Sequence, residues 1–314
     1  MKQIFLLITT LFFAITSTSI ADDKDTTKTD EEKVNILPDE DFDWDFNLDN
    51  FDFNFGKKNS EWTSMPSRPI VRFNYGNSIL ADKNYEGIDF KENPVFDLRL
   101  GYNKIKYHNI SIITQIDAHE LFIQNISDDI IDNDSTFPGA NLDAWRFGFN
   151  SVEGYGYKFH ENLQMDFTHS SGIGWTSMNF TPNTYINGTD TTSFKTFDES
   201  IRYGEQFESS ATLKFWEKLS LGVSYERINV YPRYLFWYSV VSSSVELIAH
   251  SLMDGFVKEI RKFSPELTPI FNFILKSGLS YGIYELKRKK MFWPVNTAPP
   301  LTFENFKIGA SVNF

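Results

Sequence analysis

From Pro69 to the C-terminus, apolar and polar residues alternate at period two, again and again. Val71, Phe73 and Tyr75 share one parity, and Arg72, Asn74 and Gly76 share the other. The pattern returns around Phe96–Tyr102, Ile110–Ala118, Trp145–Phe159, Leu163–Trp175, Phe207–Phe215, Leu219–Tyr225, Leu279–Ile283 and Phe306–Phe314. One such run fits any half-buried strand. Nine in succession require a sheet with one apolar and one polar face. Two residues break the apolar parity without shifting it: Ser151 and Glu153, between Phe149 and Tyr155. A one-residue bulge would have shifted the phase, so it does not account for them.

A soluble sandwich alternates in the same way, so parity alone leaves the class open. Strand length and connections narrow it. The runs reach ~15 residues, against the five or six of ordinary sheets, and suit a tilted strand that crosses a bilayer. Short connections, "HEN" at 160–162 and "WEK" at 216–218, alternate with long polar ones near 80–92, 127–141 and 181–203. Mean hydropathy is −0.33, which excludes a bundle of apolar transmembrane helices. A membrane barrel averages its two faces and shows no such excess. Aromatic residues make up 17% of the chain, with 31 Phe, the type that furnishes a lipid-facing wall and its girdles.

The N-terminus reads as an export signal. Lys2 precedes the apolar run "IFLLITTLFFAI", and small residues follow up to Ala21, so 1–21 is expected to be a cleaved signal peptide. From Asp22 to Lys58 thirteen acids face five lysines, a net of −8 within a chain of net −12. Segment 22–66 is therefore expected to be a largely disordered periplasmic tether, with Phe42, Trp44, Phe46, Phe51, Phe53 and Phe55 available to a periplasmic partner. Its charge excludes nucleic acid as a partner. The barrel is expected over 67–314.

Val245, Ile248, Leu252, Phe256 and Ile260 recur at helical spacing. "SPEL" at 264–267 opens a second helix, with Ser264 as cap, and Gly278 ends it. A helical hairpin insertion near 242–276 is expected in an otherwise all-β antiparallel barrel. Taking "PRYLFWYSVV" at 232–241 as a further strand gives about ten strands, within a range of eight to twelve. That count places the helices on the periplasmic side; a short strand at "KKMFW" instead would place them outside.

The chain resembles the bacterial outer-membrane β-barrel superfamily. Members commonly end in a strand whose last residue is Phe, as "FKIGASVNF" does here. The resemblance implies outer-membrane lipid as surroundings, the barrel-assembly machinery as a partner, and Phe314 as an assembly signal. The polar parity places Arg72, Asp97, Arg99, Asp117, Arg146, Asp166, Glu208, Lys214 and Glu226 in the lumen. Opposite charges there are expected to pair and block it, against the alternative of a narrow diffusion channel.

One constellation bears on catalysis. His169 and Ser171 fall on the apolar parity, and Asn183 follows twelve residues beyond the serine. Outer-membrane phospholipase A is similar, and the resemblance implies Ser171 as nucleophile, His169 as base and Asn183 as its orienter. The residues after the serine are Gly172 and Ile173 rather than the Asn-Gly of that family. The leading expectation is a structural or interaction role through the long loops and the tether, with lipid hydrolysis as the alternative. No metal or cofactor is expected: there is no Cys, and the five His are scattered without a ligand motif.

Overall fold

A computed structural model describes residues 62–80, 92–109, 111–127, 140–182, 196–216 and 218–314. Its strands are β1 (Trp62–Ser64), β2 (Arg68–Leu80), β3 (Asn93–His108), β4 (Ile113–Ser127), β5 (Ala140–His160), β6 (Leu163–Pro182), β7 (Ser200–Phe215), β8 (Leu219–Val230) and β9 (Leu301–Asn313). Two helices, α1 (Phe236–Phe263) and α2 (Thr268–Lys289), stand between β8 and β9, joined by the 3-10 turn Pro265–Leu267. The signal segment and the acidic tether up to residue 61 lie outside the described residues.

Strands β2 to β9 form a closed antiparallel ring of eight, each paired with its sequence neighbour and β9 returning to β2. Closure leaves no strand edge with unpaired N–H and C=O groups. Val71 stands opposite Val312, and Phe314 N–H donates to Pro69 O at 3.0 Å. Strand β1 lies outside the ring, on the end of β3 that β2 leaves open.

Eight strands, not ten, is the first correction. The stretches 232–241 and 279–283 are not strands; residues 236–263 and 268–289 are helical. Gly278 does not end a helix but lies within α2, with open space around its Cα. Ser264 makes no side-chain cap. The helices depart from the end of β8 and return to the start of β9. That is the end carrying the long connections, opposite the chain's two strand termini. The ten-strand count on which the periplasmic placement rested does not hold.

The inward parity carries all ten strand glycines among the described residues. They make room where an eight-stranded lumen is narrowest. Phe122 uses two of these gaps: its ring lies 2.8 Å from where a Cβ would stand on Gly148 and on Gly174. At the long-connection end the lumen is filled by an apolar cluster that includes Leu80, Val95, Ile126, Met178, Phe197 and Phe303.

Candidate functional site

Below the apolar cluster the lumen holds a network of charges. Arg99 on β3 reaches across the ring to Glu208 on β7 at 2.6 Å, while holding Asp97 at 2.7 Å, Glu226 at 3.3 Å and Glu120 at 3.6 Å. Lys307 on β9 meets Asp97 at 2.8 Å, Glu208 at 2.7 Å and Glu226 at 3.0 Å. Arg146 donates to Gln124, and to Gln206 at 2.7 Å; Gln124 in turn donates to Glu226 at 2.8 Å. Arg72 pairs with Glu120 at 3.1 Å. Four carboxylates thus sit among four cations. Asp97, Glu208 and Glu226 converge as a cation site would, but Arg99 and Lys307 occupy the place such an ion would take.

Asp166 and Lys214 are also buried on the inward parity of β6 and β7, with Gln164 donating to Asp166 at 2.6 Å. Asp117 is a correction. It stands on the outer wall of β4, its side chain 48% exposed beside His119. Between 116 and 123 on that strand Ile116, Ala118, Glu120 and Phe122 are buried, and Leu121 and Ile123 are exposed. The apolar residues early in β4 line the lumen, which reverses the expected parity. Glu120 and Lys307, both central to the network, were absent from the expected set. Glu120 would have been found by continuing the β4 parity to Leu121 and Ile123.

On the outer wall, polar residues form two adjacent rows. His119, Ser151 and Ser171 are cross-strand partners along β4, β5 and β6; Asp117, Glu153, His169 and Ser209 continue to β7. The rest of that wall exposes Phe73, Leu100, Leu121, Phe147, Phe149, Ile173, Leu221 and Ile308. Ser151 and Glu153, which the alternation left unexplained, belong to this patch.

Helix α2 lies over the patch. Its buried residues are Thr268, Pro269, Asn272, Lys276, Ser280, Tyr284 and Lys287, a stripe at helical spacing that is mostly polar. Lys276 is shared between Glu153 of β5 and Asp254 of α1, the latter at 2.6 Å. Lys287, three turns on, is shared between Glu205 of β7 at 2.5 Å and Glu246 of α1 at 2.7 Å. Ser277 pairs with Ser209 at 2.8 Å, and Ser280 with His169 Nε2 at 3.0 Å. Arg227 of β8 lies against the rings of Tyr281 and Tyr284, at 5.2 and 5.7 Å. The joining turn rests on β5, where Tyr157 donates to Glu266 O at 2.6 Å.

The outward faces of the helices are apolar. Trp237, Leu247, Ile248, Leu252 and Phe256 of α1, and Ile270, Phe271 and Ile274 of α2, are exposed. Helix α1 is long and apolar enough to cross a membrane, and little of it is buried. Its 28 residues span ~42 Å. In water this polarity would be inside out. Both the ring and the helices hide polar groups and show apolar ones, which only hydrocarbon surroundings favour.

The fold is a closed eight-stranded antiparallel barrel with an apolar outer wall. Solved structures match the chain at low similarity. Neisserial surface protein A is 7% identical, with 80% of this chain and 99% of that one covered and a TM-score of 0.34. Ail, the attachment invasion locus protein of Yersinia pestis, is 10% identical over 80% of this chain and 100% of that one, with a TM-score of 0.31. No family model matches the chain, and no curated protein does.

Between α1 and the barrel wall a cleft of about 1040 Å³ opens sideways. His169, Ser171, Glu153, His250 and Asp254 line it, together with Leu121, Phe149, Ile173 and Leu247. The structure brings His169 and Ser171 to this one cleft; Asn183 lies outside the described residues. His169 is buried, its Nε2 engaged by Ser280, its ring 6.0 Å from that of His250 and its Nδ1 without a partner. Ser171 is exposed to the cleft. Ser280 and His250, on the helices, are the members that a strand-by-strand reading could not find.

Proposed function

We propose that this protein is a non-conducting outer-membrane barrel with an interaction role, whose wall holds two helices that run along it from one end of the barrel to the other. The single observation that carries the reading is the pair of buried lysines, Lys276 and Lys287, each shared between a barrel carboxylate and an α1 carboxylate. Such groups in lipid are costly unless paired, so the sequence retains them for the docking they provide. The segment 22–66 would extend into the periplasm towards a partner there. The long connections would face the other side, and Phe314 would serve the assembly machinery.

The chain has no cysteine, which makes the docking testable. A Ser209→Cys/Ser277→Cys pair is expected to form a disulfide in the membrane-inserted protein, because the two hydroxyls lie 2.8 Å apart. The same preparation in planar bilayers is expected to show no sustained conductance, given the paired charges and the apolar cluster in the lumen. Absence of the cross-link, or steady current steps, would refute the reading.

Lipid hydrolysis is the second reading. It is favoured by the unpartnered Nδ1 of His169 beside the exposed Ser171, with Ser280 in place to orient the ring. In it Nδ1 takes the Ser171 proton as Oγ attacks an ester. Release of fatty acid from phospholipid vesicles, lost in Ser171→Ala with folding intact, is the expected result. No release by the native protein, with or without calcium, would dispose of it.

A further inference from the structure

The cleft presents charge of one sign. Lys276 and Lys287 are sealed behind it, with side chains 3% and 2% exposed. The partners of Lys276 at the cleft mouth are not sealed: the side chains of Glu153 and Asp254 are 50% and 57% exposed. Two carboxylates share each lysine, so the lining carries more negative than positive charge. The mouth also lies towards the terminal end of the barrel. Asp254 lies about two turns before Arg261, which reaches Tyr155 and lies over the ring of Trp62. Further along α1 the lining passes to His250 and His169, then to Leu247 and the wall residues Leu121, Phe149 and Ile173.

We infer that this cleft binds one lipid molecule bearing a primary ammonium head, with the ammonium at Glu153 and Asp254 and its chains along the apolar wall. Three features meet that ligand. The exposed carboxylates attract a cation, and in low-dielectric surroundings the attraction is strong. His169, buried to 2% exposure and with its Nδ1 unpartnered, lines the cleft next to Glu153, where a lipid's ester oxygens or hydroxyls would lie. The volume admits an acyl chain, and the sideways opening admits it from the bilayer. The inference goes beyond the interaction role proposed above but rests on the docking of α1 and α2, so the docking is checked separately.

The full chain, inserted in vesicles of equal parts phosphatidylethanolamine and phosphatidylglycerol, is extracted in mild detergent and washed, and the retained lipid is counted by mass spectrometry. About one phosphatidylethanolamine per protein is expected, enriched roughly fivefold over phosphatidylglycerol. Asp254→Asn leaves Lys276 its bond to Glu153 and is expected to bring the ratio to parity, scored in protein that still forms the Ser209–Ser277 cross-link. Should that variant misfold, Glu153→Gln removes the other mouth carboxylate and is expected to give the same parity, again scored only in protein that still forms the cross-link. Equal retention of the two lipids by the native protein, no retained lipid, or an enrichment unmoved by the charge removal would each overturn the inference. Absence of the cross-link in the otherwise native Ser209→Cys/Ser277→Cys chain would instead refute the docking reading.

Discussion

Arg99→Met is expected to leave most of the protein unable to form the compact, heat-modifiable barrel. Arg99 is 1% exposed and contacts Asp97, Glu120, Glu208 and Glu226. Without it those carboxylates share Lys307 and Arg72, with Arg146 reaching Glu226 only through Gln124. Removing one member of a buried ion pair costs about 3–5 kcal/mol, because the partner is left charged and dry. Against the 5–15 kcal/mol typical of a folded domain, that is a large share. The check is the fraction of unboiled protein that migrates fast on a gel, with the urea concentration that abolishes it. A charge-balanced Arg99→Met/Glu208→Gln variant is expected to recover part of the loss, since the two sites are directly coupled. Equal stability of Arg99→Met and the native chain would show that the network is not what holds the lumen closed.

The second large effect falls on the helices and spares the ring. Lys276→Met/Lys287→Met leaves Glu153, Asp254, Glu205 and Glu246 without their ammonium partners. Each lysine removed costs on the order of 3 kcal/mol of docking. The Ser209–Ser277 cross-link should fall from near completion to background, while the barrel's heat-modifiable migration persists. That separation is expected because every ring strand keeps its two ring neighbours without the helices. Undiminished cross-linking would mean that the serine and tyrosine contacts suffice.

The alternation carried the ring, because lipid on one side and a packed lumen on the other impose period two on every strand. It failed where the two environments were not those. On β4 the lumen residues include Ile116 and Ala118, so apolar did not mean outward. At 279–283 the alternation of "LSYGIY" mimicked a strand. The informative signal there was the polar series Asn272, Lys276, Ser280 and Tyr284, four residues apart. Apolar spacing marks a helix buried in a soluble core; this helix turns its polar stripe inward, so the sign of the pattern is reversed. Ser151, Glu153 and His169 were visible as exceptions, but the bonded partners of Glu153 and His169 belong to α2, more than a hundred residues further along. Nothing local in the sequence joins them.

The docking of α2 on β5, β6 and β7 also sets an order of events in biogenesis. The middle of the chain makes a wall that cannot be handed naked to lipid. Until Lys276, Lys287 and Ser280 arrive, Glu153, Glu205 and His169 would meet hydrocarbon unpaired. Those partners are made later, between β8 and the strand that closes the ring. Strand-by-strand release in the order of synthesis is therefore disfavoured for this protein. The whole of β5 to β9 has to be held together, in water or against an accessory surface, until its last third has been delivered.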